Sequence, residues 1–176
     1  MLSSPLELPY YPSVPPTEKP SLNKSYAASV LTLTVIFPAL SAFTDAALHH
    51  ASPFAAPLLA KWFIFWAVGA RLFLAGLRQT FNPAFTAKEI FHIDHEPSHA
   101  IVRELGFANL CFGLVGLISL FQSPWRIVSA FASGLYYALA GVAHALKGSA
   151  TPNERFALVT DFFIFLALAA CLVVLW

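Results

Sequence analysis

Five stretches of this sequence, at about 26–48, 57–77, 105–121, 126–146 and 153–176, stay apolar for the length of one membrane crossing. A helix rises ~1.5 Å per residue, so about 20 residues cross a hydrocarbon core ~30 Å thick. Lipid offers no partner to backbone N–H and C=O groups, so such runs must close their own hydrogen bonds as helices. The expected fold is therefore all-α, a polytopic transmembrane helical bundle of about five spans. Charge content agrees, because 11% of residues are charged and 58% are hydrophobic. Soluble domains carry about 25% charge.

Proline and glycine punctuate the runs. Pro38 falls inside the first and predicts a kink, which membrane helices tolerate. Pro124 separates the third from the fourth, and Gly148 and Pro152 mark the turn into the fifth. Residues 1–25 hold Pro5, Pro9, Pro12, Pro15, Pro16 and Pro20, the composition of an extended, disordered tail. They lack the basic start and apolar stretch of a signal peptide. Net charge is +1 without a basic stripe, which argues against a nucleic-acid partner. Cys111 and Cys171 fall at different depths, too far apart to bridge, and read as buried small hydrophobes.

Orientation follows from Lys and Arg placement. One side collects Lys19, Lys24, Arg78, Lys88, Arg103, Lys147 and Arg155, and the other Lys61 and Arg126. The N-terminus is expected in the cytoplasm and the C-terminus on the far side. Trp62, Trp66, Trp125 and Trp176 fall near the far-side boundaries, where indoles anchor at the interface. The loop 78–104 is then cytoplasmic. Within it Phe85, Ile90 and Phe91 alternate with Thr86, Lys88 and Glu89, as in a short amphipathic surface helix.

Ionisable residues inside spans are costly and usually face the bundle interior. Arg71, Glu104, Asn109, His144 and Asp161 come from four spans and share the cytoplasmic third, with Arg71 about 10 Å deeper than Arg78. Glu154 and Arg155 fall outside that layer. Gly106, Asn109, Gly113 and Gly116 share one helical stripe, as do Gly134, Tyr137, Gly141 and His144. Small residues mark close helix contacts, so Asn109 and His144 face neighbouring helices. Gly69 and Gly76 are the matching stripe of the second span. Arg71 and Asp161 suit an ion pair, and Glu104 suits pairing with Arg78 or Arg71. Histidine is the side chain that changes charge nearest neutral pH. Glu104, His144 and Asp161 are thus candidate acid–base groups with Arg71 as charge partner. Asn109, Arg78 and Tyr137 are candidate substrate contacts. The competing reading gives all of them a structural role, locking the bundle by buried pairs.

His92, His95 and His99, with Asp94 and Glu96, form a second constellation. Histidine and carboxylate suit zinc or iron, and His95 and His99 have the spacing of one helical face. Pro97 argues against a regular helix there, and a solvated loop explains the pattern without metal. No cofactor motif is evident: the sequence lacks a phosphate loop, a dinucleotide fingerprint, a Gly-x-Ser-x-Gly elbow and Cys-x-x-Cys.

Residues 61–72 (KWFIFWAVGARL), Ala75-Gly76-Leu77-Arg78-Gln79, Arg103-Glu104-Leu105-Gly106-Phe107-Ala108-Asn109 and Ala140-Gly141-Val142-Ala143-His144 resemble a group of small membrane proteins. Their bundle is similar to the DoxX-type four-helix fold, here with an added N-terminal span. The resemblance covers about residues 30–175 and implies a fold more than a chemistry. Some DoxX-type proteins are tied to quinone-linked redox processes, which applies here by analogy of fold.

Three functions fit these features. The first is a membrane-embedded enzyme doing acid–base or redox chemistry on a hydrophobic small molecule of a lipid, quinone or specialised-metabolite pathway. The second is a non-catalytic accessory or scaffold subunit. The third is a small transporter, which at this length needs a homo-oligomer to make a pathway.

Overall fold

A computed structural model describes residues 21–91, 93, 95–148 and 151–176. Most of the proline-rich tail, together with His92 and Asp94, lies outside the described residues. The described residues form helices and turns only. Five helices are long and apolar enough to cross a membrane: α1 (Lys24–Leu48), α2 (Ala56–Phe81), α3 (Ser98–Ile118), α4 (Trp125–Lys147) and α5 (Pro152–Leu175). The chain is thus a multi-pass bundle by length and composition. Only 28–33% of each span's most apolar window is buried. Large apolar side chains such as Leu40, Phe43, Phe131 and Leu139 therefore point outward, where hydrocarbon can cover them.

Two helices carry stretches of wide, π-type turns, Thr32–Ile36 in α1 and Ile64–Ala70 in α2. The first lies just before Pro38. A proline removes one N–H and crowds the carbonyl four residues back. The wide turn absorbs this, and the Phe37 N–H reaches the carbonyl of Thr32, five residues back. The kink expected from Pro38 takes the form of this local change of register. Nothing in residues 64–70 signals the second stretch.

The tightest contact joins α2 to α3, which run antiparallel. Gly69 meets Gly116, and Gly76 meets Gly106 and Leu110. A methyl group at Gly116 would stand 2.6 Å from the Gly69 Cα, and one at Gly76 would stand 2.7 Å from the Gly106 carbonyl oxygen. Lipid tails are as apolar as leucine, so close backbone approach and dispersion take over from the hydrophobic effect. The α4–α5 pair is looser. A methyl at Gly134 would sit 3.5 Å from Leu168, an ordinary contact. Between the pairs lies a core of Ile64, Val68, Leu72, Tyr137, Ile164 and Leu168.

Helix α1 packs along α2, with Phe37 against Trp66 at 4.7 Å between ring centroids and the Trp66 Nε1 donating to Ser41 Oγ at 2.9 Å. At its start the Asn23 N–H donates to Asn153 Oδ1 at 2.8 Å, and Tyr26 meets Phe156 edge to face. These contacts join the starts of α1 and α5, Lys147 joins the end of α4 to the start of α5, and Arg103 joins the start of α3 to the end of α2 at the same end of the bundle. That end carries Lys24, Arg78, Arg103, Lys147 and Arg155, and the opposite end Lys61 and Arg126.

Between α2 and α3 the chain forms a helical turn, Pro83–Thr86, and a wide turn, Ala87–Phe91. Asn82 caps it, its Oδ1 accepting from the Phe85 N–H, and the Arg78 guanidinium stacks 3.6 Å from the Phe85 ring centroid. Thr86, expected on the polar face, is buried beside Pro83 and Ala87. Of the two cysteines, Cys171 is buried and Cys111 is exposed, which corrects the reading of both as buried.

The glycine contact sets a graded expectation. Gly113→Ala and Gly116→Ala press a methyl onto Phe73 and Gly69 backbone and each should lower stability by about 1–3 kcal/mol. Gly134→Ala should stay near the parent. Thermal unfolding in micelles measures all three.

Candidate functional site

The polar cluster is aimed from the start of α5. Thr151 and Glu154 form a reciprocal cap: the Glu154 N–H donates to Thr151 Oγ1 and the Thr151 N–H to Glu154 Oε2, each at 3.2 Å. Lys147 Nζ, at the end of α4, donates to Glu154 Oε1 at 2.6 Å. Glu154, at the start of α5 two turns before Asp161, is 1% exposed and so buried despite its charge. The cap fixes the rotation of α5. Asp161, two turns on, joins Glu154, Ala157, Ile164 and Leu168 on the buried face.

Arg71 sits directly after the wide turn of α2 and reaches across to α5. Its Nη2 donates to Asp161 Oδ1 at 3.3 Å, with both side chains about nine-tenths buried. The bond is single and long for an arginine–carboxylate pair, which is tightest when bidentate. The same guanidinium lies 5.2 Å from the Tyr137 ring centroid. His144 Nε2 stands 4.0 Å from Asp161 Oδ2. Tyr137 itself is held by its hydroxyl, which donates to the Ala67 carbonyl at 3.1 Å inside the wide turn. Tyr26 and Tyr136 lie within electrostatic reach of Arg71 and Asp161, and their hydroxyls are side-chain hydrogen-bond partners of Arg71 and Asn109 respectively. Arg71 Nη1 is buried with no hydrogen-bond partner.

Asn109 is buried nearby and donates from Nδ2 to Gln79 Oε1 at 2.7 Å, while its Oδ1 is unpartnered. The structure therefore brings together Arg71, His144, Asp161 and Tyr137, with Asn109 and Gln79 on the neighbouring α2–α3 contact. It does not bring in Glu104, which is exposed on α3. Among the described residues, no ion pair joins it to Arg71 or Arg78. Arg78 is engaged by Phe85 instead. Glu104 shares the depth of the cluster but points about 200° away from Gly106 on the helix.

Three contributors escaped the sequence reading. Tyr26 and Gln79 carry no motif. Glu154 had one, because Thr-x-x-Glu at a helix start is the capping-box pattern.

The histidine loop builds a turn. The Ser98 Oγ and N–H both donate to the His95 carbonyl, and α3 begins at Ser98. His95 is exposed and outside the helix that carries His99, so the two do not share a helical face. Among the described residues, no three His, Cys, Asp or Glu side chains cluster as metal ligands.

An apolar groove of about 410 Å³ lies between α1, α2 and α5, lined among others by Thr34, Leu59, Phe63, Phe163 and Ala167. Phe163 is two residues from Asp161.

The DUF6790 family, described as a family of unknown function, matches residues 25–176, and the chain belongs to it. No curated protein and no solved structure matches the chain.

The buried pair gives a stability test. Arg71→Met strands the Asp161 carboxylate and should cost about 3–5 kcal/mol, whereas Arg71→Met with Asp161→Leu removes both charges and should recover most of the loss. Unfolding of both variants in micelles decides this.

Proposed function

We propose that this DUF6790 protein is a membrane-embedded enzyme that moves protons on a hydrophobic small molecule. The observation that carries the reading is the buried Arg71 beside the Asp161–His144 pair, with Nη2 on Asp161 and Nη1 unpartnered but for the reach of the Tyr26 hydroxyl. A buried guanidinium N–H left unpaired costs free energy, which an oxygen of a bound molecule would recover. Arg71 then holds developing negative charge on that oxygen, and His144 with Asp161 takes up or returns the proton. An isomerisation or cyclisation needs no other group.

The relation to the DoxX-type fold, and with it a quinone-linked role, rests on the sequence motifs quoted above. A scaffold role needs none of the spare donors, and a transporter needs an oligomer. We further propose a cytoplasmic N-terminus and a far-side C-terminus. Support comes from the gathering of Lys24, Arg78, Arg103, Lys147 and Arg155 at one bundle end.

Two experiments test these readings. Metabolite profiling of a deletion strain identifies the product. Complementation with His144→Gln should keep folded yield but lower product by about 10²-fold or more. The Arg71→Met, Asp161→Leu double variant should fold and make none. Parental product from the double variant would reject an enzymatic cluster. For orientation, terminal tags should be protease-accessible from opposite faces. Equal access from one face rejects the proposed topology.

A further inference from the structure

At the bundle end opposite the Arg71 cluster, α1 and α2 border an open pocket of about 450 Å³ that sets polar side chains in a mainly apolar wall. Its centre is Asp45, whose side chain is 11% exposed. Oδ2 accepts from Lys61 Nζ at 2.6 Å and from Trp62 Nε1 at 2.8 Å. Oδ1 lies 2.8 Å from His49 Nδ1. Both carboxylate oxygens are therefore engaged, Oδ2 by two donors, and His49 Nδ1 also stands 2.9 Å from the Asp45 backbone carbonyl.

The donors around it are not spent. An ammonium has three N–H groups, and Lys61, which lines the cavity and is 25% exposed at its side chain, gives one to Asp45. Ser41 Oγ accepts from Trp66 Nε1, which leaves its own O–H to donate. The pocket thus offers N–H and O–H groups beside a carboxylate whose charge Lys61 already offsets. The rest of its wall is apolar, with Leu40 and Leu48 opening outward at 57% and 72% exposure. Its volume takes about fifteen water-sized groups. That suits one charged head with a length of chain and is small for a diacyl headgroup.

We propose that this cavity binds the carboxylate head of a single-chain amphiphile, such as a fatty acid. The head accepts from Lys61 and Ser41, and the chain leaves along Leu40 and Leu48 toward the hydrocarbon. An oxyanion on a diacyl phospholipid would offer the same head chemistry, and a cluster that only clamps α1 to α2 would bind neither.

Brominated chains quench indole fluorescence on contact. The protein carries Trp125→Phe and Trp176→Phe, leaving Trp62 in the pocket wall and Trp66 bonded to Ser41, and is titrated in micelles with dibromostearic acid. Saturable quenching is expected. Affinity should fall about threefold or more in Ser41→Ala and tenfold or more in Lys61→Met. Lys61→Met with Asp45→Leu, which leaves no unpaired charge, should fold and show the same loss. Equal quenching by the methyl ester, or undiminished affinity in the folded double variant, overturns the proposal. Preference for dibrominated phosphatidic acid over the free acid overturns its single-chain assignment. None of these readouts depends on the Arg71 cluster, so the two sites stand or fall separately.

Discussion

A guanidinium cannot stay in the apolar part of a bundle without a counter-charge. Arg71 meets that constraint by reaching from α2 to Asp161 on α5, and much of the surrounding arrangement follows. α5 must present Asp161 inward, which its capped start achieves through Thr151, Glu154 and Lys147. Tyr137 must present its ring to the guanidinium, which its hydrogen bond to α2 helps to hold in place. The pair is not saturated. A single 3.3 Å bond to the carboxylate, with the Tyr26 hydroxyl as a further side-chain contact, leaves the arginine short of a bidentate pair. A purely structural pair would gain from closing that second bond, because Arg–carboxylate pairs are strongest when bidentate.

The number and length of the spans were legible because bilayer thickness sets them, and thickness converts directly to residue count. The glycine stripes were legible for a related reason, since small residues at helical spacing on Gly69, Gly76, Gly106, Gly113 and Gly116 have few other uses in lipid. Depth was also legible: Arg71, His144 and Asp161 do meet. Direction around the helix axis was harder. Glu104 and Cys111 each lie two residues from a packing glycine, about 200° round the helix, and both face outward. Depth alone placed Glu104 in a cluster that its own helical phase excludes.

Partners that depend on side-chain reach were not legible. Lys61 and Asp45 lie 16 residues apart on different helices, and only the crossing of α1 and α2 brings them to 2.6 Å. Glu154 shows the converse. Its charge suggested solvent, yet a cap and a lysine together make burial tolerable, as charge-assisted bonds offset desolvation.

The wide turn at Ile64–Ala70 has a consequence for how α2 can change. It divides the helix into two segments with separate angular phases, one bearing Lys61 and Trp62 and the other Arg71 and Gln79. A π-type turn takes up one residue more than the α-helical path it replaces, so losing one residue within it would restore a uniform helix and leave Arg71 facing about as it does now relative to Lys61. Losing one residue from the α-helical part between the wide turn and either group, with the wide turn kept, would instead swing Arg71 by about 100° relative to Lys61. In genetic terms, loss of a single codon should be tolerated within this stretch and not beside it.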